Sequence, residues 1–271
     1  MYNIINNIMF MRAILPLSII GLSLLLFSCQ KESKHSGYVD ENEALVEDLK
    51  KVSGDSRTYN YDFKILEEPK SEGVNYYEPI SITEAFSSIP KEMKDAIHLP
   101  NIGDLPFLSG TEQANIVTFW NDSNKLIFEI QVSFFENSAG YKAENQDFFI
   151  ISATQLADNP FIDTSSEEDP IDLWIEEFNM NGLEGPEEVV IYRKLDLTPD
   201  YPLFFKNWQQ SWSTMYAYYS YDSSKSLIEH TSTGSKMYYA WHDGLIFQIG
   251  YKFTDDTIDM EDVVRKIILG S

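Results

Sequence analysis

From Leu126 to Phe134 every second residue is apolar: Leu126, Phe128, Ile130, Val132 and Phe134 alternate with Glu129, Gln131 and Ser133 along the way. A period of two puts successive side chains on opposite faces of an extended chain, and no helix of 3.6 residues per turn can hold such a pattern on one side. The stretch Lys125–Phe135 therefore reads as a half-buried antiparallel strand. Asn115–Trp120 is its hairpin partner across the turn Asn121-Asp122-Ser123-Asn124, and Gln146–Thr154 is a further neighbour. A second hairpin runs through Ser235–Trp241 and Gly244–Phe253. Its turn, Asp243-Gly244, suits the two positive φ angles of a tight hairpin turn.

The two hairpins echo one another. Trp120-Asn121-Asp122 leads to Leu126-Ile127-Phe128-Glu129-Ile130, and Trp241-His242-Asp243 leads to Leu245-Ile246-Phe247-Gln248-Ile249, with Phe134 and Phe253 also corresponding. Duplication of one hairpin and independent arrival at an aromatic-rich amphipathic pattern both account for this. Around them, Ser81–Ile97 reads as one or two short helices broken by Pro90, and Glu41–Val52 has the composition of a short helix, with a transient turn in the tether as an equal alternative. Ile171–Phe178 reads as a short amphipathic helix and Val189–Leu195 as a strand. Asp259 caps a closing helix through Ile268, with Glu261 and Asp262 in its first turn and Arg265 and Lys266 near its end, as the helix dipole favours. Trp208, Trp212 and Tyr216 are spaced four apart as in a helix, whereas Met215–Tyr221 has strand composition, so that boundary stays open. Strands do not alternate with long helices as a parallel sheet requires. The class is α+β: a predominantly antiparallel, curved, hairpin-built sheet, with short peripheral helices and a C-terminal helix.

The N-terminus carries a different signal. Ala13–Phe27 is almost wholly apolar and follows Arg12, the only charged residue ahead of Cys29. At roughly 15 residues it fits the apolar core of a secretory signal better than a span of about 20. The run closes on Leu26-Phe27-Ser28-Cys29, which resembles the bacterial lipobox: an aliphatic residue three before the cysteine and a small residue just before it. That resemblance implies cleavage before Cys29 and a diacylglyceryl group (palmitate-type chains) on its sulfur. At about 0.8 kcal/mol per buried CH₂, two chains hold far more firmly than one. Met11-Arg12 makes a more typical signal start than Met1. The expected layout is a signal peptide over residues 1–28, a lipidated N-terminus with a flexible acidic tether over 29–78, and one extracytoplasmic β-rich domain over 79–271.

Charge narrows the partners. With 43 acidic against 20 basic residues and a formal net charge of -23, the chain repels phosphate backbones, which excludes nucleic acid as a natural partner. An anionic membrane surface repels it too, so attachment to the cell membrane falls to the lipid anchor. Cys29 is the one cysteine, so no disulfide forms within the chain.

A second resemblance lies at the C-terminal end. Gly234-Ser235-Lys236-Met237-Tyr238-Tyr239, then Trp241-His242-Asp243-Gly244-Leu245-Ile246-Phe247-Gln248-Ile249 and the closing helix, resemble an uncharacterised domain family of Bacillus-type lipoproteins and anti-sigma-associated extracytoplasmic proteins. Ile89-Pro90-Lys91 through Leu105-Pro106-Phe107 is similar to the proline-marked entry of such domains, and the acidic stretch Asp163–Glu188 departs from their compact pattern. The family offers no catalytic residues to carry over. It implies an envelope location and a binding or sensing role, with an envelope protein or a glycan as partner.

No catalytic residue, cofactor site or firm metal site emerges from the motifs. The histidines His35, His98, His230 and His242 stand in no close metal-ligand spacing. Ser88-Ile89-Pro90-Lys91 matches an SxxK pattern but lacks its partner motifs, and no GxSxG, Walker or GxGxxG motif occurs. Asp163, Glu167, Glu168, Asp169 and Asp172 lie in a stretch without Lys or Arg and form a weak calcium candidate, against which stands the ordinary solvated acidic loop. Trp208, Trp212, Tyr216 and Tyr218, with Tyr219 and Tyr221, form a candidate stacking platform for a glycan or peptide, against which stands plain core packing. The leading expectation is a non-enzymatic binding lipoprotein. The alternative is an exported hydrolase working through a carboxylate pair that spacing does not reveal.

Overall fold

The computed structural model describes residues 42–54, 73–101, 103, 105–121, 123–138, 140, 146–159, 190–208, 216–233, 235–254 and 257–270. Among them are eleven strands: β1 (Lys51–Gly54), β2 (Asn75–Tyr77), β3 (Thr111–Trp120), β4 (Leu126–Phe135), β5 (Phe148–Gln155), β6 (Val190–Thr198), β7 (Tyr201–Trp208), β8 (Tyr216–Asp222), β9 (Leu227–Thr233), β10 (Lys236–His242) and β11 (Leu245–Lys252). They join in the order β6-β7-β10-β11-β5-β4-β3-β2-β1-β9-β8. Neighbours run antiparallel except β1 and β9, which pair in parallel through Ser53 with Leu227 and Gly54 with Ile228, so the sheet is mixed.

Among the described residues three α-helices accompany it: α1 (Ile82–Ser87), α2 (Lys91–Ala96) and α3 (Met260–Leu269). Each boundary has a local cause. The Ser81 hydroxyl accepts the Glu84 N–H at the start of α1, and Pro90 separates α1 from α2. The Asp259 carboxylate accepts the N–H groups of Glu261 and Asp262 at the start of α3, and Gly270 ends that helix at φ 71°, a left-handed conformation that glycine adopts at little cost.

The helices cover one face of the central strands. Phe128, Val132, Phe149, Phe247 and Ile249 from the sheet meet Ala85, Met93, Val264 and Ile267 from the helices in one continuous core. At about 1.5–3 kcal/mol per large apolar side chain removed from water, this face is the main source of stability. All the described core side chains fall between Val46 and Ile268, within the compact unit Val39–Ser271, so this body carries its own core.

The other face departs from expectation. Every residue of β4 is buried, including Glu129, Gln131 and Ser133, which the alternation had assigned to solvent. The cover is β8, the last strand in the order, lying against the second face of β4 and β5. Tyr218 sits against Phe135 and Phe148, with ring centroids 6.5 Å and 6.0 Å away. The Gln131 amide bridges to the β8 backbone, accepting the Tyr219 N–H at 2.6 Å and donating to the Tyr219 carbonyl at 2.9 Å. The Tyr219 hydroxyl donates to Glu129 at 3.2 Å, and its ring stacks on His230 at 4.8 Å. Polar residues belong on this face because a polar strand edge lies over them.

The folded body also begins earlier than expected. Residues assigned to the tether supply β1 and β2, while Leu45, Val46 and Leu49 pack on the main core. Where the composition suggested a short helix over 41–52, the described residues hold a short 3₁₀ turn, Glu43–Val46, and after residues 47–50 the strand β1. Glu78 anchors this segment, pairing with Lys50 at 2.7 Å and accepting the Tyr221 hydroxyl at 2.9 Å. At the boundary left open, Trp208 ends β7 and residues 216–221, which had strand composition, form all but the last residue of β8, after which the hairpin strand β9 follows.

The two echoed hairpins are β3–β4 and β10–β11. Their alternating apolar positions, Leu126 with Leu245, Phe128 with Phe247 and Ile130 with Ile249, all face the helix-covered core. Their tryptophans do not correspond. Trp120 lies opposite Leu126 and packs on that core, whereas Trp241 lies opposite Ile246 and packs on the second face. The shorter Asp243-Gly244 turn shifts the register by one residue, and a shift of one turns a side chain to the other face.

Candidate functional site

The sheet topology brings the two hairpin turns together. Strand β5 is antiparallel to both β4 and β11, so the starts of β4 and β11 lie beside the end of β5. At that end β5 parts from β4 but stays with β11: Glu129 with Thr154 is the last described pair on one side, while Leu245 still opposes Gln155 on the other. The gap opens into a cleft of about 470 Å³ lined by Glu92, Phe119, Asn121, Ser123, Lys125, Ile127, residues 155–158 and residues 243–245.

Side chains hold this opening in shape. Gln155 takes the place of the missing ladder bond, accepting the Phe128 N–H at 2.9 Å and donating to Glu92 on α2 at 3.2 Å. Leu156 is clamped on both backbone groups: its N–H donates to the Gly244 carbonyl at 2.8 Å, and its carbonyl accepts the Trp241 indole N–H at 2.8 Å. The Asn121 side chain accepts the N–H groups of Ser123 at 3.1 Å and Lys125 at 2.9 Å, which closes the β3–β4 turn. Asp243 and Gly244 both have positive φ, 49° and 75°, as a two-residue turn of this hand demands.

The chemistry is divided between floor and rim. Phe119, Ile127 and Leu245 are buried and make the floor apolar. Glu92, Asp158, Asp243 and Lys125 are exposed at the rim, three carboxylates and one ammonium. Apolar walls with a few polar groups at the mouth, at this volume, are the usual make-up of a small-ligand pocket. Beside it at the same end of the sheet, Tyr201 lies against Trp241 at 5.8 Å and against His242 at 5.6 Å.

The structure brings few of the residues singled out in the sequence to this place. Leu26, Phe27, Ser28 and Cys29 lie outside the described residues, as do Trp212 and the acidic group Asp163, Glu167, Glu168, Asp169 and Asp172. Trp208 ends β7 and Tyr216 begins β8. Tyr218 is buried between sheet layers rather than displayed, and Tyr219 is buried with it, so these two rings act in packing and not as a platform. Among the described residues no group of three or more His, Cys, Asp or Glu stands close enough to hold a metal ion. Ser88 and Lys91 are each engaged elsewhere, Ser88 with the Glu84 carbonyl at 3.1 Å and Lys91 with Asp95 at 2.6 Å.

Sequence reasoning missed the rim residues, although both turns were legible. The signal lay in combining them: two hairpins flanking one shared antiparallel strand must present their turns at the same end. The chain matches no protein-family model, no curated protein and no solved structure.

Proposed function

We propose that this chain is an exported bacterial lipoprotein, held by lipid on Cys29 at the outer face of the cytoplasmic membrane, whose β-rich domain binds a small envelope ligand in the cleft between the hairpin turns. The observation that carries the location is the apolar run Ala13–Phe27 closing on Leu26-Phe27-Ser28-Cys29, at the chain's one cysteine. The binding role draws on the apolar floor and polar rim of the cleft.

The test is acylation. Cells expressing the chain with a radiolabelled fatty acid incorporate label, the Cys29→Ala variant incorporates none, and mass spectrometry of the membrane-extracted protein finds a diacylated N-terminal cysteine. Equal labelling of the variant rejects the anchor.

One observation favours a second reading. Glu92, Asp158 and Asp243 share one cleft, and a carboxylate pair across a cleft is the machinery of many glycoside hydrolases. Turnover of aryl glycosides that is lost in both Glu92→Gln and Asp158→Asn would favour the exported hydrolase.

A further inference from the structure

We infer that the cleft takes an organic cation, an ammonium or guanidinium carried on an apolar body of modest size. The inference rests on the binding reading above and names the chemistry of the ligand. Two features select it. The floor of Phe119, Ile127 and Leu245 offers apolar surface that only a hydrophobic group gains by covering. The rim sets Glu92, Asp158 and Asp243 against the Lys125 ammonium, with the His242 ring nitrogen 3.5 Å from the Asp243 carboxylate, inside a chain whose formal net charge is -23.

Both the local and the overall field therefore favour a positive charge at the mouth, and apolar walls focus that field into the opening. An anionic ligand of the same shape meets three carboxylates as it enters. Size narrows the class further. At about 470 Å³ the cleft suits a drug-sized body rather than a folded partner or a helix laid in a groove. The carboxylates come from three separate places, α2, the segment after β5 and the β10–β11 turn, so the ring of charge is assembled by the fold and not by one acidic run.

The experiment uses the mature chain from residue 30, produced without the apolar leader and the cysteine so that it stays in solution, and three probes with one phenylbutyl body: 4-phenylbutylammonium, 4-phenylbutanol and 4-phenylbutyrate. Binding is followed by amide chemical shifts at moderate salt. The ammonium probe is expected to shift the amides of residues 123–127, 155–158 and 243–245 and to bind more tightly than the alcohol, with the carboxylate weakest. An ion pair at about 4 Å in a watery setting amounts to about a fivefold change in affinity. Asp158→Asn and Asp243→Asn are each expected to weaken the ammonium probe by about that factor and to leave the alcohol unchanged. Ala157→Phe, at an exposed position lining the cleft, is expected to weaken all three probes while the strand amides keep their dispersion.

Equal affinity for the ammonium and carboxylate probes, or indifference of the ammonium probe to both charge removals, overturns the cation inference and leaves the cleft standing as a binding site. Absence of cleft shifts with every probe, or binding untouched by Ala157→Phe, overturns the binding reading itself.

Discussion

Gln131 is a strand residue doing the work of a neighbouring strand. Its amide meets the Tyr219 N–H and carbonyl on the side of β8 turned away from β9, and it also donates to Ser133 at 3.0 Å. Replacing it with methionine keeps the length and most of the volume but leaves both Tyr219 backbone groups facing a thioether, at a site where Gln131 is 1% and Tyr219 2% exposed. Each buried polar group left unsatisfied costs about 1–3 kcal/mol, and removal of the buried amide returns part of that, for a net loss of about 2–4 kcal/mol. Urea unfolding of the soluble chain from residue 30 measures it. Ser133→Ala, which removes only the shortest-range of these bonds, should cost about 1 kcal/mol. Hydrogen exchange at the Tyr219 amide should accelerate in Gln131→Met well beyond what the global loss explains, because an edge amide is released. A change under about 0.5 kcal/mol with unaltered Tyr219 exchange would show that Gln131 does not hold β8 in place.

Two further outcomes follow from the packing and the charges. A Cβ added at Gly54 would lie 2.1 Å from the Tyr76 ring, which is itself braced against Tyr219 at 6.1 Å, so Gly54→Ala should destabilise by about 1–3 kcal/mol through disruption of the parallel pair; unchanged unfolding would mean the ring has room to move. Glu78 is held below its ordinary pKa chiefly by Lys50 and then by the Tyr221 hydroxyl, and Asp222 is held well below its own by the Ser224 hydroxyl and Lys225. Carboxyls depressed in the folded state bind fewer protons there than when unfolded, so their contribution is present above the ordinary carboxylate range and is lost progressively as pH falls from that range down through the depressed folded-state values. The urea midpoint should drop between about pH 5 and about pH 3, with a shallower drop in the Glu78→Gln, Asp222→Asn double variant; an identical slope would remove these two groups from the account.

Local physics made much of the sheet readable in advance. The alternation in β4, the Asp243-Gly244 turn, the Pro90 break and the Asp259 cap all act within a few residues, and each reappears in the structure. The strands that were missed are short or depend on distant partners. β1 and β2 have four and three residues, too few to show a period, and they are strands because β3 and β9 offer free edges to them. The cleft was hidden for the same reason, since its rim comes from residues between 92 and 245 that only the strand order assembles.

What the chain determined by itself is which residues can form strands, where it must turn, its acidity, and the apolar run closing on Leu26-Phe27-Ser28-Cys29, since these depend on neighbours in sequence. Only the tertiary structure decided that Glu129, Gln131 and Ser133 face another strand instead of water, for the Tyr219 groups they serve come from far along the chain, 88 residues on from Gln131. A period of two says that a strand has two faces. What covers the second face depends on distant closure of the chain, and no local pattern encodes that.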